Sequence, residues 1–344
     1  MDISSMPEWL LGPVRLLEPG GAEPFPFLYA APPGGQRFCD WLSAQRGDVD
    51  AALSQHGAVL FRNFDLRDEA SFEAAAAQLS SALEAQYGDL VKRKSAEFVY
   101  DATWYPNDRA ILFHNEGSHT PQLPTRQFFY CARDGFTRGE TPILDCRRFY
   151  RALRANLLEP FEAKGLLYIR NFIRGVDVSW QDFFRTSDRS ELERRCRAEG
   201  VEWRWKRDGS LRLMTRVPAV ISHPHSGERS FCNQIMLHHV ACLDARTGQA
   251  LRSIYAPDEL PRNVCYGDGS EIPDAIVAEL LRVAVETAVK FSWRRGDLLM
   301  LDNLAVAHAR SPFDGDRHIL VAIGDVIRRE ALRRSSNRTT AQVF

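Results

Sequence analysis

Short apolar runs bounded by turn residues dominate this chain, and they constrain its fold more than any other feature. GAVLFRNF (57–64), ILFHNE (111–116), RQFFYCA (126–132), TPILDC (141–146) and LLYIRNF (166–172) each read as a strand. AVISH (219–223), RSFCNQI (229–235), DLLMLDNLAVAHA (297–309) and RHILVAIGDV (317–326) read the same way. Helical spacing is rarer. It runs from Asp68 to Gln86, with Phe72, Ala76, Leu79 and Leu83 on one face, and most clearly from Pro273 to Val289. Ser190 to Glu199 is a shorter case, with Ser190 and Glu193 at capping-box spacing and Gly200 as its stop. The expected class is mainly β with flanking helices, a sandwich or barrel rather than alternating βαβ units. No Gly-rich strand–turn–helix of the dinucleotide or P-loop kind is present, which sets those chemistries aside.

A chain of 344 residues, 44% hydrophobic and 26% charged, can bury a sizeable core. Its formal net charge of -1 gives no overall pull toward nucleic acid or an anionic membrane, and neither is expected as a partner. Seven cysteines without a CxxC pair argue against a disulfide framework or a zinc ribbon, so a cytoplasmic setting is expected. The opening MDISSMPEWLLGPVRLL lacks the basic start and apolar centre of a secretory signal. No apolar run approaches the ~18 residues of a membrane span.

The chemistry concentrates in a few positions. Alternate residues of a strand share a face, so His114 and Glu116 should point the same way and can take adjacent corners of one metal ion. HxE alone is more often a surface ion pair. His308, after the buried-looking GDLLMLDN, would complete two nitrogens and one carboxylate. Such a set caps one face of an octahedral iron(II) and leaves three positions open. The bland alternative for His308 is a strand-end histidine with a backbone partner. SPFDGD between His308 and Arg317 contains the Asp-Gly hairpin signal, so the flanking strands should pair and bring Arg317 beside His308. A guanidinium there can hold a carboxylate bidentately. Arg310, two residues after His308, competes for that role or for substrate. Thr141, at the start of a strand, can donate to the same carboxylate.

In order along the chain, GAVLFRNF, FHNEGSH, RGETPILDCR, WRRGDLLMLDN and AHARSPFDGDRHILVAI resemble the TauD/TfdA family of 2-oxoglutarate dioxygenases. The resemblance is nearest to the SyrP-like amino-acid hydroxylases, which carry HxE, and FCNQIMLHH and VCYGDGSEIP are similar to further parts of that branch. It implies a double-stranded β-helix, or jelly roll, with iron(II) at its open end and 2-oxoglutarate and O2 as cosubstrates. His114, Glu116 and His308 match the metal ligands, Arg317 the arginine that anchors the distal carboxylate of 2-oxoglutarate, and Thr141 its helper. Arg138 stands where a glycine is frequent, and Cys232 where an aromatic is usual.

The implied organisation is an arm and lead-in over 1–56, one oxygenase domain over 57–326 with an insert at about 150–290, and a basic polar tail over 327–344. The implied reaction is hydroxylation of an amino acid in specialised-metabolite or nonribosomal-peptide biosynthesis, with desaturation or cyclisation as alternative outcomes. Because Glu116 fills the position that family halogenases vacate, chlorination is not expected. Arg126, Asn233, Gln234 and Arg310 are candidate substrate contacts. The substrate is a free amino acid or an aminoacyl group on a carrier protein, and the basic stretch Arg194–Arg207 would be either a carrier dock or a solvated face. His223, His225, His238 and His239 read as turn and packing residues. A zinc hydrolase using the same three ligands and a degenerate binding module are the competing classes; the first has no need of Arg317 and Thr141, and the intact triad argues against the second.

Overall fold

The computed structural model describes residues 15–16, 24–32, 35–87, 90–103 and 105–332. Two sheets form the body. The larger runs Phe27–Ala30, Ala58–Arg62, Leu298–Asp302, Gln122–Arg138, Phe313–Arg328, Tyr100–Asp101 in spatial order. The smaller runs Arg15–Leu16, Val289–Lys290, Ile143–Asp145, Val306–Arg310, Ile111–His114. Strand alternation sorts the side chains. Leu60, Phe129, Leu299, Leu301, Ile319 and Val321 of the larger sheet pack with Ile143, Val289 and Val306 of the smaller, so the two sheets face each other.

The opposite face of the larger sheet is also covered. Val59, Phe61, Phe128, Tyr130 and Met300 pack against helices Phe38–His56 and Glu69–Leu79. On the outer side of the smaller sheet, Leu144, Ala307 and Ala309 meet Phe149, Leu157, Leu280 and Leu281 of three further helices. Burial on both faces explains why VLFR and LLML read as unbroken apolar runs rather than alternating ones. Within 150–290 stands a third sheet, ordered Arg262–Tyr266, Leu166–Phe172, Leu211–Val217, Glu202–Trp205. Among the described residues no helix is long and apolar enough to cross a membrane.

Several expectations change. The run 297–309 is two strands, broken at Asn303–Ala305, and the break carries the chain from the larger sheet to the smaller. Val306–Arg310 and Phe313–Arg328 therefore lie in different sheets and form no hairpin. Asp314 and Gly315 sit inside the last strand, opposite Thr137 and Phe136. The lead-in holds the helix Phe38–His56, and Phe27–Ala30 pairs in parallel with Ala58–Arg62. The early helix stops at Leu79, with Asp68 and Ser71 as its capping box. Asp188, rather than Ser190, caps the helix Arg189–Glu199, and Glu193 instead accepts from Trp205 Nε1 at 2.7 Å. Of 219–223 and 229–235 only Ile221–Ser222 and Arg229–Ser230 are strand, and Ile235–His238 is a helical turn. The last strand continues past 327 to pair Arg328 with Gln122, and Arg329 donates to the carbonyls of Thr120 and Ser118. The rest of the basic polar tail, 333–344, lies outside the described residues.

One ion pair ties the sheet interior together. Arg62 reaches Asp297 through two bonds, at 2.9 and 2.6 Å, and both side chains are buried. Arg62→Ala strands the Asp297 carboxylate away from solvent, and breaking such a pair costs about 3–5 kcal/mol. The expected result in urea is a lower midpoint with an unchanged slope. A midpoint equal to that of the unaltered protein would show that the pair contributes nothing.

Candidate metal and 2-oxoglutarate site

His114 ends the strand Ile111–His114 and lies directly opposite His308 in the neighbouring strand. Their ring centroids are 4.1 Å apart. Glu116 is not on the strand: it occupies the turn that follows, and that turn folds its carboxylate back toward the two rings. One ligand atom from each of His114, Glu116 and His308 lies within 4.8 Å of the others. The chemistry of this donor set fits iron(II). His114 Nδ1 bonds the carbonyl of Leu112 at 2.8 Å, which makes Nδ1 the protonated nitrogen and turns the Nε2 lone pair to the metal side. Burial pushes His114 down to about 4 and His308 well below its usual range, so both rings are neutral near pH 7. Phe129 of the larger sheet packs on the His308 ring, with centroids 4.9 Å apart.

The turn is braced from behind. Asn303, fully buried, accepts from Glu116 N at 2.8 Å through Oδ1 and donates to Glu116 O at 2.9 Å and Pro124 O at 2.8 Å through Nδ2. Asn115 Nδ2 donates to the Asn303 carbonyl at 2.8 Å. Asn303 was invisible to sequence reading, where LDN looked like a strand end. Its signal was the polar pair Asp302–Asn303 inside an otherwise apolar run.

Arg317 projects between the sheets from the last strand. It donates to Gly139 O at 2.8 Å and to Thr141 Oγ1 at 3.4 Å. Thr141 also accepts from Trp293 Nε1 at 3.1 Å, a partner the sequence did not indicate. Thr141 precedes the strand Ile143–Asp145 rather than beginning it. No carboxylate of the described residues pairs with Arg317. Burial, then the nearby Arg310, lowers its pKa to about 10. A buried guanidinium lacking a counter-anion is suited to an anionic ligand. Arg310 is differently committed: its guanidinium donates to the carbonyls of Tyr105, Pro106 and Arg109 at 3.0, 2.5 and 2.7 Å. It latches the loop before the His114 strand.

The other candidates have partners in the protein. Arg126 lies 3.7 Å from Asp302. Asn233 bonds the carbonyls of Ala219 and Phe231, and its backbone N donates to Asn115. Gln234 Nε2 donates to Asn115 O at 2.9 Å, and its Oε1 meets His238 Nε2 at 3.2 Å. Gln234 thus touches the backbone between two of the candidate ligands. His223 pairs with Asp302 at 2.9 Å and His239 with the carbonyl of Ile272 at 3.0 Å. His238 packs against His119, with centroids 5.0 Å apart. Among the described residues His114, Glu116 and His308 form the sole grouping able to hold a metal through three or more such side chains.

The family profile described as "Taurine catabolism dioxygenase TauD, TfdA family" matches residues 23–323. The dapdiamide synthesis protein DdaC of Enterobacter agglomerans is 34% identical over 280 residues, 81% of this chain and 85% of that protein. A clavaminate synthase-like protein of Arabidopsis thaliana is 28% identical over 322 residues, 88% and 94% of the two chains. PvcB of Pseudomonas aeruginosa shares the fold, at a TM-score of 0.52 and 14% identity over 91% of this chain and 92% of its own. PvcB is described as an Fe, alpha-ketoglutarate dependent oxygenase from an isonitrile synthetic pathway. With residues 23–323 matched by the family profile, this protein belongs to the TauD/TfdA family and is an iron- and 2-oxoglutarate-dependent dioxygenase.

Proposed function

We propose that this dioxygenase hydroxylates an unactivated C–H bond of a free amino acid in specialised-metabolite biosynthesis. In this reading the facing sheets are a double-stranded β-helix with the metal between them. His114, Glu116 and His308 hold iron(II), and Arg317 with Thr141 holds the distal carboxylate of 2-oxoglutarate. The observation that carries the reaction is the pairing of two buried histidines and a half-buried glutamate with a largely desolvated arginine that forms no ion pair with a described carboxylate. Iron supplies oxygen activation when bound, and the balance is substrate, 2-oxoglutarate and O2 to hydroxylated substrate, succinate and carbon dioxide.

The residues supply orientation and dryness. His114 and His308 present neutral lone pairs at fixed strand positions. The Asn303 and Asn115 bonds fix the turn that carries Glu116. Phe129 and the surrounding core exclude water from one side. Asn233, Gln234 and Arg310 act on the framework of the site, since their polar groups already serve the protein.

The substrate class rests on the DdaC relative, named for dapdiamide synthesis, together with the HxE pattern. The choice of a free amino acid over a carrier-bound one is supported by the basic stretch. Arg195 bonds Glu191 and the Phe184 carbonyl, Lys206 bonds Glu259, and Arg197 lies over the Trp203 ring at 5.3 Å. Those three charges are engaged within the insert, which leaves Arg194, Arg204 and Arg207 as the exposed remainder of the stretch.

The test is incubation with iron(II), 2-oxoglutarate and a panel of amino acids, each presented free and loaded on a carrier domain. A free amino acid gaining one oxygen atom, with succinate formed in step, is expected. Turnover of the loaded carrier alone would overturn the free-acid reading, and no turnover across the panel would overturn the substrate class. A chlorinated product in saline buffer would overturn hydroxylation.

A further inference from the structure

Glu116 is longer by one methylene than an aspartate at the same place and leaves the strand before it reaches the metal side. Its carboxylate therefore needs a restraint that strand geometry does not supply. The backbone is held by Asn303, and Gly117 N donates to Glu116 Oε1 at 3.1 Å. A further side-chain contact comes from far outside the motif. The Tyr87 hydroxyl donates to the Glu116 carboxylate, and the surrounding burial together with that negative charge raises the phenol pKa strongly.

A second feature places the same hydroxyl. Gly117 has φ +64°, a left-handed conformation that favours glycine. A Cβ there would collide with Tyr87 Oη and come within 3.1 Å of Pro124 Cδ. The glycine after the ligand thus leaves the space that the phenol occupies. Tyr87 itself packs at the edge of the core between the two sheets.

We propose that Tyr87 is a positioning residue for the metal site, fixing the Glu116 carboxylate through a phenol hydrogen bond in the space left by Gly117. A carboxylate with one oxygen tied to a fixed donor loses fewer conformations on ligation. Outer-shell partners of this kind are worth about 10- to 100-fold in metal affinity. The role rests on Glu116 being a metal ligand, as proposed above, and not on which substrate is used.

The experiment compares Tyr87→Phe with the unaltered full chain. Iron(II) binding is titrated anaerobically by calorimetry, and the thermal midpoint of each metal-free protein is recorded. A dissociation constant raised by about 10- to 100-fold with the midpoint retained is expected. The 2-oxoglutarate KM at saturating iron should stay within about twofold, because Tyr87 lies on the Glu116 side and not at Arg317. An iron affinity within twofold of the unaltered protein would overturn the proposal. Should the variant fail to fold, 3-fluorotyrosine at position 87 alone keeps the hydroxyl and reports directly. Its fluorine resonance is expected to move on addition of zinc(II), and an unmoved resonance would overturn the proposal equally.

Discussion

His308→Ala should leave a folded protein that no longer converts 2-oxoglutarate to succinate at a measurable rate. His308 Nδ1 is buried and bonds no described group, so the imidazole is not a strut whose loss breaks a network. The strand that carries it is paired on both sides, with Ile111–His114 and with Ile143–Asp145, and backbone pairing does not depend on the side chain. On the proposed ligand assignment, its loss is felt at the metal. Two remaining ligands cannot cap an octahedral face, and removing one should exceed the roughly 10- to 100-fold effect of an outer-shell change. Iron per chain after desalting, succinate formation and the far-ultraviolet circular dichroism spectrum together decide the matter. Tight iron retention with ordinary turnover would remove His308 from the ligand set.

The site was legible because its chemistry is carried by rare residue types. HxE, a late histidine, an arginine and a threonine survive any error in strand boundaries. The routes by which sequence reasoning brought them together were partly wrong. Glu116 was expected to share a strand face with His114, yet it reaches the metal side from a turn held by Asn303. Arg317 was expected across a hairpin from His308, yet it arrives from the opposite sheet.

The misleading signal in the second case was Asp314–Gly315. Gly315 has φ +102°, and a Cβ there would approach Gly135 O to 2.5 Å. The glycine permits close backbone approach within a paired strand, which local sequence cannot distinguish from a turn. The break at Asn303 was hidden for a related reason. Both halves of 297–309 are buried on both faces, so no change of periodicity marks the crossing between sheets.

The helix Phe38–His56 escaped notice because its buried positions, Phe38, Leu42, Val49, Ala52 and Leu53, are interrupted by Ser43–Asp48. Tyr87, Asn303 and Trp293 act across sequence gaps of tens to hundreds of residues. Pattern reading has no access to such contacts. Only the folded chain brings them to the ligands.

Arg317→Leu should raise the 2-oxoglutarate requirement far more than that of the prime substrate. Leucine removes a cation that burial already penalises and that forms no ion pair with a described carboxylate, so the metal-free fold should lose little stability. On the proposed assignment, what disappears is a charge-assisted contact to the cosubstrate. Truncating one partner of a buried charged pair costs about 2–5 kcal/mol. That corresponds to roughly 30-fold to a few thousand-fold in the half-saturating concentration. Thr141→Val removes one hydroxyl that accepts from both Arg317 and Trp293, and should cost about 1 kcal/mol. Arg310 is the control that separates anchoring from general positive charge. Its guanidinium is spent on three loop carbonyls, so Arg310→Ala should loosen the 105–109 loop and change the 2-oxoglutarate KM by less than about threefold. The measurement is the KM for 2-oxoglutarate and for the prime substrate in all three variants, at saturating iron. A larger 2-oxoglutarate effect from Arg310 than from Arg317 would transfer the anchor to Arg310, and the three loop carbonyls would then have to release it when the cosubstrate binds.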